Sequence, residues 1–280
     1  ENHSGSFAHF NSDLLEWAGM GGMVLGGMNL ALLFRSLRGN VTPLVRSLEL
    51  RAYLAVVAVG GTVAALATTG DDGLTHDGIR RAFFHVASAA STTGHYAGGW
   101  RDWDIGPQVL LLAIMGVGAM SGSAGSGFRQ VRALTLLGFL RRELVTQLHP
   151  RAVMPVGVGR KTVPDSVADR MIGYQAQYLI VGGVGAIVIA TLGGDLVTSM
   201  SAAVSAIANV GPALGDLAPA GGGVELLPRP ARAAMLPLMF LGRLEIAPVL
   251  VGAALVVTTA KERMRVIGYS IGESLGRHDR

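Results

Sequence analysis

The 280-residue sequence has no cysteine, which excludes disulfides, cysteine-ligated zinc and thiol catalysis. Charge is scarce: 15% of residues are charged, against about 25% in a soluble domain. No His-Glu-x-x-His zinc motif occurs, and the glycine-rich stretch 121–127 lacks the Gly-Lys-Ser/Thr and the preceding strand of a phosphate-binding loop. Nothing in these absences supports an enzyme. A basic-then-apolar leader is missing as well, and the sequence opens on Glu1 rather than Met, so it reads as cut from something longer. Half of the residues are hydrophobic and 40 are glycine. That much glycine weakens helices in water, but in lipid it lets helix backbones approach closely. The composition is that of an integral membrane protein.

Charge alternates along the chain. Long apolar segments at 14–34, 52–69, 105–120, 171–192 and 233–257 are long enough to cross, or nearly cross, about 30 Å of hydrocarbon. Stretches 35–51, 129–170 and 261–280 carry four, eight and five of the 23 basic residues, whereas 1–16, 71–104 and 195–232 carry none, three and two. By the positive-inside rule the first set is cytoplasmic and the second external. The net charge of +4 therefore reflects topology rather than a nucleic-acid-binding face. Trp100 and Trp103, beside Asp102 and Asp104, read as an interfacial belt on the outer side.

Two segments are too short to cross. Arg80 to Ser91 covers about 12 residues, roughly 18 Å of helix, and runs into Thr92-Thr93-Gly94-His95-Tyr96. Leu196 onward runs in the same way into Asn209-Val210-Gly211-Pro212. Laid over each other, Ser88 matches Ser205, Ala89 matches Ala206 and Gly94 matches Gly211, 117 residues apart. Non-helical backbone at membrane depth must line protein or a water-filled cavity. Both half-helices would aim their C-terminal ends, each about half an elementary negative charge, at the following turn. Such a site favours a cation, and carbonyls of the extended turns can replace its hydration water. The third span is also interrupted, at Ser121 to Gly127. Arg243 lies inside the fifth, where a charge costs roughly 2.5–3.5 kcal/mol and needs a cavity or a partner.

At this point the chain resembles a known family, the Trk/Ktr/HKT superfamily of potassium- and sodium-translocating subunits. The motifs are Ser91-Thr92-Thr93-Gly94, Gly122-Ser123-Ala124-Gly125-Ser126, Asn209-Val210-Gly211-Pro212 and Leu241-Gly242-Arg243-Leu244-Glu245, with Phe10-Asn11-Ser12 and Gly27-Met28-Asn29-Leu30-Ala31 similar to the bacterial Trk branch. The resemblance implies an all-α membrane fold of repeated helix, pore half-helix and helix units around a central pore. Residues 1–38 would end a second repeat, 39–150 form a third, and 151–280 a fourth with a cytoplasmic tail, the earlier repeats being supplied by upstream sequence. It further implies a potassium filter in which Thr92, Thr93, Gly94, His95, Asn209, Val210, Gly211 and Pro212 take part. The ion would be held by carbonyls of Thr92, Thr93, Gly94, Asn209, Val210 and Gly211, with no covalently bound cofactor. A gate would consist of Gly122, Ser123, Ala124, Gly125, Ser126, Gly127 and Arg243. Implied partners are membrane lipid, a second copy in a homodimer and a cytosolic nucleotide-binding regulatory ring, with no nucleic acid. The sequence departs from the family pattern twice: the loop is shorter than the usual Gly-Ser-Ala-Gly-Ser-Thr-Ala-Gly-Gly, since Ser126 is followed directly by Gly127-Phe128-Arg129, and position 95 is His where an aromatic such as Phe is usual. Sodium or coupled transport, and a non-conducting structural subunit, stand as alternatives.

Overall fold

The computed structural model describes residues 6–69, 74–98, 100, 103–149, 155–158, 161–214 and 223–244, together with 246, 248, 249, 251, 252, 254–256 and 258. Some sequence expectations lie wholly or partly outside these residues, among them Asp102, Glu245, the tail 261–280 and parts of the stretches 1–16, 71–104, 129–170, 195–232 and 233–257. The chain divides into two units, one through Arg243 and one from Leu244 on; the described residues of the second are helical.

After a 3-10 turn at Ser6–Phe10, the first unit contains α1 (Asp13–Gly26), α2 (Leu30–Leu37), α3 (Thr42–Val45), α4 (Leu48–Ala67), α5 (His76–Ala90), α6 (Ile105–Val117) and α7 (Gln130–Leu148). A two-residue antiparallel pair follows, β1 (Gly157–Val158) on β2 (Lys161–Thr162), with Gly157 opposite Thr162. Then come α8 (Asp165–Thr191), α9 (Leu196–Ala208) and α10 (Arg229–Leu244). Among the described residues α4 and α8 are each long and apolar enough to cross a membrane. Their large apolar side chains face outward, Val59, Val63 and Leu66 on α4 and Leu179, Ile180 and Val184 on α8, the inverse of a water-soluble core.

Local signals explain where the helices start. Ser47 caps α4, its hydroxyl accepting from the Leu50 N–H at 3.3 Å. Thr75 caps α5 through the Gly78 N–H at 3.1 Å, which starts that helix four residues before the expected Arg80. Its 15 residues still amount to only about 22 Å. Asp195 caps α9 through the Thr198 N–H at 3.4 Å. Hydrogen bonding from Thr198 holds the Asp195 carboxyl below its ordinary range.

The first span is not one helix as expected. It breaks after Gly26 and turns by 105° into α2. Asn29 makes the break: its side-chain oxygen caps α2 by accepting from the Leu32 N–H at 3.0 Å, while its Nδ2 donates to the Ser121 carbonyl at 2.6 Å. The apolar run of 14–34 carried no trace of this, because a capping Asn inside such a run looks like any other small polar residue.

Each half-length helix packs along the long helix before it, α5 on α4 and α9 on α8, and α6 touches both α5 and α9. On α4, Gly60 receives Val86 and Ile114, and Gly61 receives the Phe83 ring; in lipid this close fit, not water exclusion, drives association. Arg80 ties α5 to α1. It is 4% exposed, and its Nε donates to the equally buried Glu16 carboxylate at 2.7 Å, with Asp13 and Asp77 completing the set. Trp100 does not sit in an interfacial belt. It is buried, its ring 5.5 Å from that of His85, whose Nε2 lies 2.9 Å from the Gly98 carbonyl. The sequence around Trp100 is rich in acids and glycine, which hid the apolar pocket that α5 offers it.

Candidate functional site

The two turns after α5 and α9 have the same backbone. The Thr92 N–H donates to the Ala89 carbonyl at 3.2 Å and the Thr93 N–H to Ser88 at 3.0 Å. At the matching positions, Asn209 donates to Ala206 at 3.1 Å and Val210 to Ser205 at 3.0 Å. Thr92 and Asn209 both stand in the left-handed region, at φ 56° and 54°, and Gly94 and Gly211 follow at 75° and 109°. The matched serines finish the job: Ser88 Oγ donates to the His95 carbonyl at 2.9 Å, and Ser205 Oγ accepts from the Gly211 N–H at 3.0 Å.

Asn adopts a positive φ readily, but a β-branched Thr is an outlier there, at a cost of order 1–3 kcal/mol. Thr92 is held by its own hydroxyl, which accepts from the Ser126 N–H at 2.8 Å in a buried contact. Thr93 lies exposed, with its hydroxyl 2.7 Å from that of Ser91. His95 is half-buried, its ring 5.2 Å from that of Phe7. Phe7 is itself anchored by donating its N–H to the Tyr96 carbonyl at 2.9 Å. The N-terminal stretch, expected only to be external, thus packs against the first turn.

The turns lie side by side. A Cβ on Gly94 would run into the Val210 carbonyl oxygen and come within 2.8 Å of Pro212 Cδ. Both turns are fastened through their N–H groups. None of the hydrogen bonds among the described residues is accepted by the carbonyls of Thr92, Thr93, Gly94, Asn209, Val210 or Gly211. A cavity of about 750 Å³ opens beside the second turn, lined by Asn209, Gly211, Arg232, Met235 and Met239.

Between α6 and α7 the chain leaves the helix at Gly118 and re-enters at Gln130. This loop fills the break between α1 and α2. Helix ends leave backbone groups without partners, and here two interrupted helices satisfy each other. The Met120 N–H donates to the Gly27 carbonyl at 3.1 Å, Ala124 to Gly26 at 3.3 Å, and Leu30 to Gly122 at 3.0 Å. Glu49, in the first turn of α4, accepts from the Ser121 N–H at 2.5 Å. At the other end of the loop, Arg243 Nη1 donates to Ser126 Oγ at 2.7 Å and to the Ala124 carbonyl at 3.4 Å. Ser126 therefore touches both Arg243 and Thr92. Gly242 lets α10 come this close, since a Cβ there would strike the Ile207 carbonyl at the end of α9.

Asn29, Glu49 and the Thr92 hydroxyl were not singled out by sequence as structural ties. A signal existed for Glu49: it is the one acid in the basic stretch 35–51.

Similarity to known proteins extends over most of the chain. The family model described as TrkH, cation transport protein, matches residues 71–262. The Trk system potassium uptake protein TrkH of Halomonas elongata is 30% identical over 253 residues, 89% of this chain and 52% of that protein. The Trk system potassium uptake protein TrkG of Escherichia coli K12 is 29% identical over 252 residues, 89% of this chain and 51% of that protein. The crystal structure of the potassium transporter TrkH from Vibrio parahaemolyticus superposes with a TM-score of 0.78 at 27% identity, covering 89% of this chain and 54% of that one. The chain spans about half the length of the curated relatives it matches.

Proposed function

The chain belongs to the TrkH family of cation transport proteins, and on that premise we propose that it forms two walls of a potassium-conducting filter closed by an intramembrane loop. The observation that carries the reading is the pair of matched turns, each at the C-terminal end of a half-length helix, with six carbonyl oxygens left unengaged. The helix ends supply negative potential and the carbonyls supply ligands that replace hydration water. Ions move down their electrochemical gradient with no covalent chemistry, since a negative-inside potential is worth about 2.3 kcal/mol per charge per 100 mV.

In this reading the filter turns open outward, and residues 35–51 and 129–170 face the cytoplasm. Residues 1–38, 39–150 and 151–280 belong to successive repeats, and the walls not present here complete the pore. Gly122 to Gly127 form the gate together with Arg243. The test is uptake by potassium-uptake-deficient cells expressing the intact protein. Rubidium entry well above sodium entry is expected. Preferential sodium entry would move the assignment to a sodium carrier, and no flux of either ion in correctly inserted protein would favour a structural subunit.

A further inference from the structure

We infer that Glu49 is a positioning residue of this transporter, holding the start of the loop as Arg243 holds its end. The inference rests on the reading of the loop as the gate. The loop has two fastened ends and an exposed middle: Gly122 and Ala124 are exposed, whereas Ser126 and Gly127 are buried. At the Ser126 end the ties are Arg243 and the Thr92 hydroxyl. At the Ser121 end the side-chain ties are Asn29, which donates to the Ser121 carbonyl, and Glu49, which accepts from the Ser121 N–H. Ser121 is thus gripped on both of its backbone groups by side chains from two different helices.

Glu49 stands in the first turn of α4, and its carboxylate reaches across to accept the Ser121 N–H of the loop between α6 and α7. A carboxylate accepts at several sites at once, and a hydrogen bond to a charged group is stronger than a neutral one. Ser47 holds Glu49 in place by capping α4 one residue before its first turn. Without Glu49 the Ser121 N–H loses its partner, and the stretch from Gly122 to Ala124 is held more loosely, by Asn29 and by its backbone bonds with Gly26 and Leu30.

These 280 residues hold no cysteine, so Ala124→Cys, in a background with any cysteine elsewhere replaced by Ser, gives a single thiol on the exposed part of the loop. The experiment measures its labelling rate by a membrane-impermeant methanethiosulfonate, alongside rubidium flux, in the intact protein. Glu49→Ala is expected to speed labelling about tenfold and to raise flux, since one charge-assisted hydrogen bond is worth about that factor. Glu49→Gln should remain much nearer the parent, because its amide oxygen still accepts from Ser121. Should Glu49→Ala fail to insert, Glu49→Asp, one methylene too short to reach Ser121, makes the same comparison. Labelling unchanged by Glu49→Ala or Glu49→Asp, or accelerated as much by Gln as by Ala, would overturn the inference. An absence of rubidium flux in the unsubstituted protein would instead count against the pore reading, while the labelling comparison still decides the role of Glu49.

Discussion

Gly94→Ala is expected to abolish most of the discrimination between rubidium and sodium, and Gly211→Ala to weaken it far less. Both glycines have positive φ, so either methyl group brings backbone strain of roughly 1–2 kcal/mol. Their surroundings differ. A Cβ at Gly94 would overlap the Val210 carbonyl oxygen, whereas a Cβ at Gly211 meets nothing within 4 Å. In the first case two adjacent turns must separate, and the Val210 carbonyl, one of the proposed ligands, is displaced. Selectivity by a carbonyl site depends on where its dipoles stand, so a displaced ligand adds to the strain. The expected fall in the rubidium-to-sodium uptake ratio is more than about thirtyfold for Gly94→Ala, beyond what 1–2 kcal/mol of strain produces alone. For Gly211→Ala it is no more than that strain allows. Equal effects from the two substitutions would show that the contact between the turns does not matter.

Arg243→Ala is expected to raise basal flux rather than lower it. The side chain gives hydrogen bonds to Ser126 Oγ and to the Ala124 carbonyl. Removing it leaves the Ser126 end of the loop fastened by the Thr92 hydroxyl and by one long backbone bond, from the Ala119 N–H to the Ser126 carbonyl at 3.4 Å. A hydrogen bond from a charged donor is worth about 1.5–3 kcal/mol, so a closed state held by it should lose population by about tenfold or more. Arg243→Lys keeps the charge but not the planar fork, and should fall between. The check is initial rubidium uptake normalised to protein in the membrane. Because Ser126 also bonds Thr92, the alanine variant should in addition relax selectivity slightly. Unaltered flux in Arg243→Ala would remove the arginine from the gate.

Much of this architecture was legible in the residues, for physical reasons that can be named. The half-helices showed because a segment too short for lipid is conspicuous between longer apolar ones, and the matches of Ser88 with Ser205 and Gly94 with Gly211 kept one plan through two copies. Thr92 and Asn209 are chemically unlike, yet both stand at left-handed φ; only the glycines beside them signalled the turn. The break in the third span showed because seven small residues cannot continue a helix. The break in the first span did not, because its cause lies 92 residues away, where the Ser121 carbonyl meets Asn29. The same holds for Glu49 and for Phe7, whose partners are distant in sequence and set by packing. Trp100 was misplaced for the converse reason: its neighbours in sequence are polar, but in space it meets the His85 ring and belongs to the buried apolar cluster.

The central claim is that a potassium-sized cation sits against the carbonyls of the two matched turns. The measurement that tests it most directly is the position of bound rubidium or thallium in an experimental structure of the intact protein, located by its anomalous signal. The account predicts density on the pore axis level with the carbonyls of Thr93, Gly94, Val210 and Gly211, lost when sodium replaces potassium. Density elsewhere in the pore with none at that level, in a protein that transports rubidium, would contradict it.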